Sequence, residues 1–389
     1  MKQAVVIGGS SGIGLSLAGY WIGKDYHVCI LDRCAPNPET LPTEGWEYLH
    51  CNLLQPDVDL LEALAADPET QVLMLTAGFG RVADFEALHH AEIKNLLTVN
   101  AVSAIRVLRI FYDRIKSDAD FYCGIMGSIA GLVSSPMFSV YAASKAALCR
   151  FTESVNIELE AAGVKNRILN VSPGSIPGTR FNGGENDPAQ TSSLAAEIAR
   201  KLLDRETLWI PDFEKTYGGV LERYHADPHA FGLSSYQYKQ NSGRVRSDRH
   251  ICIGYLSGTF DLFHIGHLNL LRRAREQCDY LIVGVHPDAS HKGKETFIPF
   301  DERLAIVEAV QYVDKAVQSV PEDSDAWTLW HYDKLFVGSD YKGTERFRRY
   351  EAFFADKDVE IVYFPYTKGT SSTQIRDAIL SKTNNQSGS

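Results

Sequence analysis

Short, almost wholly apolar runs recur along the first half of the chain: AVVIG (4–8), HVCILD (27–32), EYLHC (47–51), QVLMLTAG (71–78), FYCGIMGS (121–128) and RILNVSPG (167–174). Between them, apolar residues return at helical spacing, as at 89–114 and 141–162. Alternation of strand with helix predicts βαβ units on a parallel sheet. Strands apolar throughout predict helices on both faces. The polar segment GGENDPAQTSS (183–193) predicts a mobile loop, with helix resuming at 194–204. Residues 234–249, SSYQYKQNSGRVRSDR, offer hardly any aliphatic side chain to pack and predict a linker. The pattern then restarts with strands at 251–258, 280–288, 334–340 and 360–366, and helices at 267–277 and 301–313. The tail TNNQSGS predicts disorder.

Composition sharpens this picture in three places. A chain of 389 residues with 44% hydrophobic content has material for two cores. A formal charge of −10 argues against a nucleic-acid partner, so anionic ligands need local basic pockets. The seven cysteines form no CxxC pair and no His/Cys cluster at metal spacing, which predicts inert thiols in a cytoplasmic protein with no metal held by a side-chain cluster. No run approaches the roughly 18 apolar residues of a membrane span, so no membrane insertion is expected.

The stretch IGGSSGIG follows the first strand and opens a helix. Gly8, Gly12 and Gly14 allow a tight turn and close backbone approach, and the helix mouth at Ser10, Ser11 and Ile13 supplies N–H donors for a pyrophosphate. Asp32 ends the second strand, where a carboxylate accepts from ribose hydroxyls and repels a 2′-phosphate; the adjacent Arg33 would instead attract one. Asp32 thus favours NADH as the expected cofactor, with NADPH the alternative that Arg33 keeps open. Ser128 closes a strand, and Tyr141 and Lys145 stand four apart on one helix face. An ammonium near a phenol lowers its pKa, which would make Tyr141 a usable proton donor to a carbonyl.

These residues, with LTAG (75–78), TVNA (98–101) and SPG (172–174), resemble the short-chain dehydrogenase/reductase family over residues 1–230. The resemblance implies that Asn100 is a fourth catalytic residue, holding a water on a relay to Lys145. It also implies cofactor contacts from Asn52, Ala77, Gly78, Pro173, Gly174, Ile176 and Thr179. Ile7, Thr76 and Asn52 stand where the family often has Thr, Asn and Asp.

A second nucleotide signature begins at GTFDLFHIGH (258–267). His264 and His267 lie three apart at a helix entrance, so both can donate to phosphate oxygens beside the helix dipole. Lys292 and Lys294 are candidates for a triphosphate, Arg303 begins a following helix, and Asp340 ends a strand. The loop TKGTSSTQIR (367–376) offers backbone N–H groups and the hydroxyls of Ser371, Ser372 and Thr373. This set resembles glycerol-3-phosphate cytidylyltransferases across 251–380. The resemblance implies CTP contacts from Gly258, Thr259, Phe260, His264, His267, Lys294, Asp340, Thr367, Gly369, Ser371, Ser372 and Thr373, with Mg²⁺ bridging the CTP phosphates. Tyr366 stands where the family has an arginine, with Lys368 nearby.

The expected fold class is α/β, two Rossmann-like doubly wound parallel-sheet domains in tandem. The expected boundaries are 1–235, a linker at 236–249, 250–382, and a tail at 383–389. The expected function is reduction of a ketose phosphate, preferably a pentulose 5-phosphate, to an alditol phosphate. Its coupling to CTP then yields a CDP-alditol for surface polysaccharides and pyrophosphate. Dihydroxyacetone phosphate leading to CDP-glycerol is the close rival and fructose 6-phosphate the third. An unrelated carbonyl substrate and a non-catalytic scaffold are the other readings. Arg81, Arg180 and Lys342 are either phosphate grips or ordinary surface charges, and the two family resemblances imply a homodimer or tetramer.

Overall fold

Parallel pairing joins β1 (Gln3–Ile7), β2 (His27–Asp32), β3 (Trp46–His50), β4 (Thr70–Leu75), β5 (Tyr122–Met126), β6 (Ile168–Val171) and β7 (Leu208–Trp209) into one sheet. The strand order is β3-β2-β1-β4-β5-β6-β7. A second parallel sheet holds β8 (Ile253–Gly258), β9 (Tyr280–Val285), β10 (Lys315–Gln318), β11 (Lys334–Gly338) and β12 (Glu360–Phe364), in the order β10-β9-β8-β11-β12. This computed structural model describes residues 1–179, 181, 186–245, 251–288, 295–365 and 374–375. The chain divides into two compact units, Met1–Asp248 and Arg249–Ser389.

The strand pattern explains the first core. Val5, Ile7, Cys29, Leu31, Leu73 and Leu75 point to one face, while Ala4, Val6, Val28, Ile30, Val72 and Met74 point to the other. Both faces are buried under helices, so neither needs polar residues. Each large side chain so buried contributes on the order of 2 kcal/mol.

In each sheet the strand order reverses once, between β1 and β4 and between β8 and β11. Connections leave such neighbouring strand ends in opposite directions, and a crevice opens there. The Gly8–Gly14 loop follows β1, and the Gly258–His267 loop follows β8. Both candidate nucleotide loops therefore sit at a topological switch point.

Several elements differ from the sequence expectation. The helix Pro188–Leu203 begins inside the expected loop, because Asp187 caps it by accepting from Ala189 N and Pro188 suits a first turn. The helix Pro228–Gln240 runs into the expected linker. Asp227 caps it by accepting from His229 N and Ala230 N, and Lys239 ties it to the preceding fold through polar contacts rather than an apolar face. The 89–114 stretch is broken into His90–Leu97, a π-helical turn at Thr98–Val102, Ser103–Ile110 and Tyr112–Ile115. β7 and β10 are short strands without a distinguishing run of their own, and pairing with a neighbour defines them. The expected tail lies outside the described residues.

Candidate active sites

The first site is built where β1 and β4 end. Gly14 sits so close to the preceding loop that a Cβ there would fall 2.2 Å from Gly8 O, and Gly8 itself has a positive φ of 85°. Thr76 Oγ1 donates to Ile7 O (2.9 Å) and Gly8 O (3.0 Å), tying the two strand ends together. Ser11, the N-cap, makes no side-chain capping bond. The helix mouth instead holds an oxygen from another loop: Gly12 N donates to Asn186 Oδ1 at 3.2 Å. Sequence reasoning missed Asn186, which carries no motif. An acceptor oxygen held there fits the expected pyrophosphate. Thr179 also borders Gly12, whose Cβ would lie 3.4 Å from its methyl carbon.

Asp32 ends β2 and turns toward the glycine loop. Its Oδ2 accepts from Ser10 N (3.2 Å) and its Oδ1 from Arg33 N (2.8 Å). Arg33 is exposed. Asn52 accepts from Leu54 N and shapes the turn after β3. Ile13 packs partly buried against the core beneath the loop.

The chemistry-bearing residues converge from three elements. Ser128 (6% exposed) follows β5, and Tyr141 (7%) and Lys145 (3%) lie on the helix Ser139–Ala161. The Ser128 hydroxyl accepts from Ala130 N (3.2 Å) and acts on the Tyr141 phenol, lowering its pKa. Lys145 Nζ donates to Met126 O (2.7 Å) and lies 5.7 Å from the Tyr141 ring centroid. Asn100 sits in the π-helical turn, a feature frequent at functional sites. Its side chain brackets Phe79, accepting from Phe79 N and donating to Phe79 O, and also donates to Ser144 Oγ. A Cβ on Gly78, beside Ala77, would fall 3.2 Å from both Asn100 Oδ1 and Lys145 Nζ.

The expected acidification of Tyr141 is reversed. Burial pushes its phenol up to about 12, against a smaller lowering from Ser128. Burial likewise pulls the Lys145 ammonium down to about 8. The lysine directs a proton to a backbone carbonyl, so desolvation outweighs its effect on the phenol.

Pro173, Gly174 and Ile176 follow β6. Pro173 O accepts from Ile129 N (3.0 Å), which holds this loop against the Ser128 turn. Tyr217 lies hard against Gly174, leaving no room for a Cβ. Arg81 is not a surface charge or a phosphate grip. It is buried and forms a two-pronged pair with Glu92 at 2.8 and 2.7 Å. Lys342 is exposed with its Nζ 5.4 Å from the Tyr363 ring centroid.

The second site is built where β8 ends. Phe260 (φ 52°) and Leu262 (φ 49°) both adopt left-handed backbone, an uncommon conformation for bulky residues. Asp261 holds the strained turn: its buried carboxylate accepts from Phe297 N (3.1 Å) and Ile298 N (3.0 Å). Arg303 completes the frame. Fully buried, it donates to the carbonyls of Ile298, Thr259, His286 and Pro287. The sequence marked Arg303 without this role and missed Asp261.

His264 caps the helix Ile265–Arg275, its Nδ1 accepting from Gly266 N at 3.0 Å, and His267 Nδ1 accepts from His264 N at 3.4 Å. A neutral imidazole that accepts at Nδ1 carries its proton at Nε2. Burial lowers the His264 pKa, favouring that neutral form. Phe260 is buried, its ring 5.3 Å from that of His267. Thr259 Oγ1 is buried with no hydrogen-bond partner among the described residues, an orphaned donor suited to a phosphate oxygen. Asp340, just past β11, curls back so that a Cβ on Gly338 would lie 2.4 Å from its Oδ1. Gly258 ends β8 beside Phe260. Arg180, Lys292, Lys294, Tyr366, Thr367, Lys368, Gly369, Ser371, Ser372 and Thr373 lie outside the described residues.

One side-chain cluster at metal-ligand range was not expected. Parallel pairing of β2 with β3 brings His27, Cys29 and Glu47 within 4.8 Å. Residues so far apart in sequence give no spacing signal. The Cys29 thiol donates to Glu47, and burial pushes its pKa up, so it stays protonated rather than becoming a metal-ligating thiolate. Among the described residues no helix is long and apolar enough to cross a membrane.

Comparison with known proteins agrees with this geometry. Residues 2–190 match the short chain dehydrogenase family model, and residues 255–378 match the cytidylyltransferase-like model. Glycerol-3-phosphate cytidylyltransferase of Staphylococcus aureus is 33% identical over 129 residues, 32% of this chain and 92% of that protein. The Bacillus subtilis protein of the same name is 34% identical over 126 residues, 31% of this chain and 92% of its own length. Human retinol dehydrogenase 8 is 31% identical over 192 residues, 47% of this chain and 61% of that protein. The chain therefore joins an N-terminal short-chain dehydrogenase domain to a C-terminal domain that belongs to the cytidylyltransferase-like family.

Proposed function

We propose that the chain makes a CDP-alditol in two steps. The first unit reduces a ketose phosphate, preferably a pentulose 5-phosphate, to an alditol phosphate. The second couples that product to CTP and releases pyrophosphate, supplying a precursor for surface polysaccharide. One observation carries this reading: a Ser128–Tyr141–Lys145 set and a His264–His267 helix mouth occur in one chain. Relatives of the second unit are named for glycerol 3-phosphate, a phosphorylated polyol. Reduction of a ketose phosphate creates a compound of that class.

In the first step, Gly8, Ser10, Ser11, Gly12, Ile13 and Gly14, together with Asp32, Arg33, Asn52, Ala77 and Gly78, would hold the adenosine and pyrophosphate of NADH or NADPH. Pro173, Gly174, Ile176 and Thr179 would line its nicotinamide end. A bound nicotinamide supplies the hydride. Ser128 hydrogen-bonds the substrate carbonyl oxygen, and Tyr141 gives that oxygen its proton. Lys145, with a pKa near 8, returns a proton toward the phenol, and Asn100 shapes the relay.

In the second step, the second unit would take CTP together with Mg²⁺, which would supply positive charge to the triphosphate. A phosphate oxygen of the alditol phosphate attacks the α-phosphorus, and the bond to pyrophosphate breaks in line. Nε2–H groups of His264 and His267 stabilise the charge that builds on the α-phosphate. Thr259, Lys294 and the 367–373 loop hold the remaining phosphates, and Asp340 meets the nucleoside. This work is soluble and cytoplasmic, in a dimer or tetramer.

The test supplies ketose phosphate, NAD(P)H and CTP together and in pairs. Pyrophosphate release only with all three, and a CDP-pentitol mass, supports the reading. Release from glycerol 3-phosphate and CTP alone favours CDP-glycerol, the reading to which the relatives' names point.

A further inference from the structure

The segment expected as a linker carries two cations, Lys239 and Arg244, beside the first unit's helices. Lys239, on the helix Pro228–Gln240, donates to Ser135 Oγ (2.5 Å) and Pro136 O (2.8 Å). Its Nζ lies 5.9 Å from the Phe138 ring centroid, and Phe138 stacks on Tyr141 with centroids 4.1 Å apart. Arg244, just past the helix, donates to Tyr238 and lies within electrostatic reach of both Lys239 and Tyr217. Tyr217 in turn covers Gly174. Lys239 thus lies beside Phe138, the ring stacked on Tyr141, and Arg244 acts electrostatically on Tyr217, the side chain that covers Gly174.

Neither cation has a carboxylate partner among the described residues. Two neighbouring positive charges, half-buried and unneutralised, are unfavourable in a resting protein. Burial first, and Arg244 second, pull the Lys239 ammonium down to about 8. Its two hydrogen bonds use two of three ammonium protons, and Arg244 has further N–H donors. A dianion placed between them relieves the repulsion and takes up those donors.

We infer that Lys239 and Arg244 form the phosphate-recognition site of the reductase unit, gripping the phosphate of the ketose while its carbonyl lies against Tyr141. This rests on the reading that the first unit reduces a phosphorylated ketone. It makes the end of the first unit a specificity element rather than a spacer.

The test compares a pentulose 5-phosphate with the same pentulose lacking its phosphate, in the wild type and in Lys239→Gln and Arg244→Gln. Each variant should raise KM for the phosphorylated ketose roughly tenfold to a hundredfold. Turnover of the dephosphorylated pentulose, the KM for NAD(P)H and CTP consumption should stay within about twofold, well inside the effect of one lost charge-assisted contact. Inorganic phosphate should compete with the ketose phosphate in the wild type and lose that effect in the variants. Lys239→Arg, which keeps the charge, should restore most of the preference. A wild type that prefers the phosphorylated ketose, with variants that retain the preference and the phosphate inhibition, overturns the inference alone. A wild type indifferent to the phosphate overturns the phosphorylated-substrate reading and the inference with it.

Discussion

The imidazoles of His264 and His267 stack with ring centroids 4.0 Å apart and planes 27° from parallel. Each ring spends its Nδ1 on a backbone N–H, which places the mobile proton of both at Nε2. Two parallel donors at one helix mouth suit a single phosphate. Replacing His264 or His267 with Ala should each lower CTP consumption by about 10²–10³-fold. NAD(P)H oxidation should be untouched, because the reductase residues lie in the other unit. Pyrophosphate release and absorbance at the nicotinamide band measure the two halves separately.

Tyr141 presents the converse case. Its phenol meets Ser128, and burial keeps it protonated across the neutral range. Tyr141→Phe preserves the ring that stacks on Phe138 and removes only the hydroxyl. Reduction should fall by at least about 10²-fold, while transfer from CTP to an added alditol phosphate continues at the wild-type rate.

Lys145 gives a pH signature. Its folded pKa near 8 lies below the ordinary 10.5, so between these values the unfolded chain binds a proton that the folded chain has released. Stability from this group therefore rises as pH climbs from about 8 to about 10.5, and it is lost as pH falls through 8. The span corresponds to about 3 kcal/mol. In Lys145→Met this rising limb should disappear from urea-denaturation midpoints of the cofactor-free protein. The slope is the readout, since the variant also forfeits the bond to Met126 O. A variant with the wild-type slope would contradict the buried ammonium.

Arg303 should matter for stability before chemistry. Its buried guanidinium bonds four backbone carbonyls around the Gly258–His267 loop. Arg303→Met removes those donors and should destabilise the second unit by on the order of 3 kcal/mol. Thermal unfolding should show that unit melting earlier while the reductase transition stays in place.

Much of this molecule is legible along the chain. Strands buried on both faces must be apolar at consecutive positions, so β1, β2, β4 and β9 announce themselves. Glycines forced by close approach, Gly8 and Gly14 among them, and the one-turn spacings Tyr141/Lys145 and His264/His267 are local properties that survive in one dimension. What pairing and burial decide is not local. β7 and β10 are too short to carry a period, and the sheet defines them. Arg81 became half of a buried pair because the fold brings Glu92 to it. Tyr141 shifted opposite to expectation because desolvation depends on what surrounds a group, not on its neighbour in sequence. Lys239 and Arg244 looked like linker residues, since a helix held by caps and polar ties has no apolar stripe to betray it. Sequence alone determined the two architectures and the residue types at each helix mouth, because backbone sterics and periodicity act over a few residues. Tertiary structure alone decided which charges are neutralised and which face a site, because electrostatics and burial act across the fold.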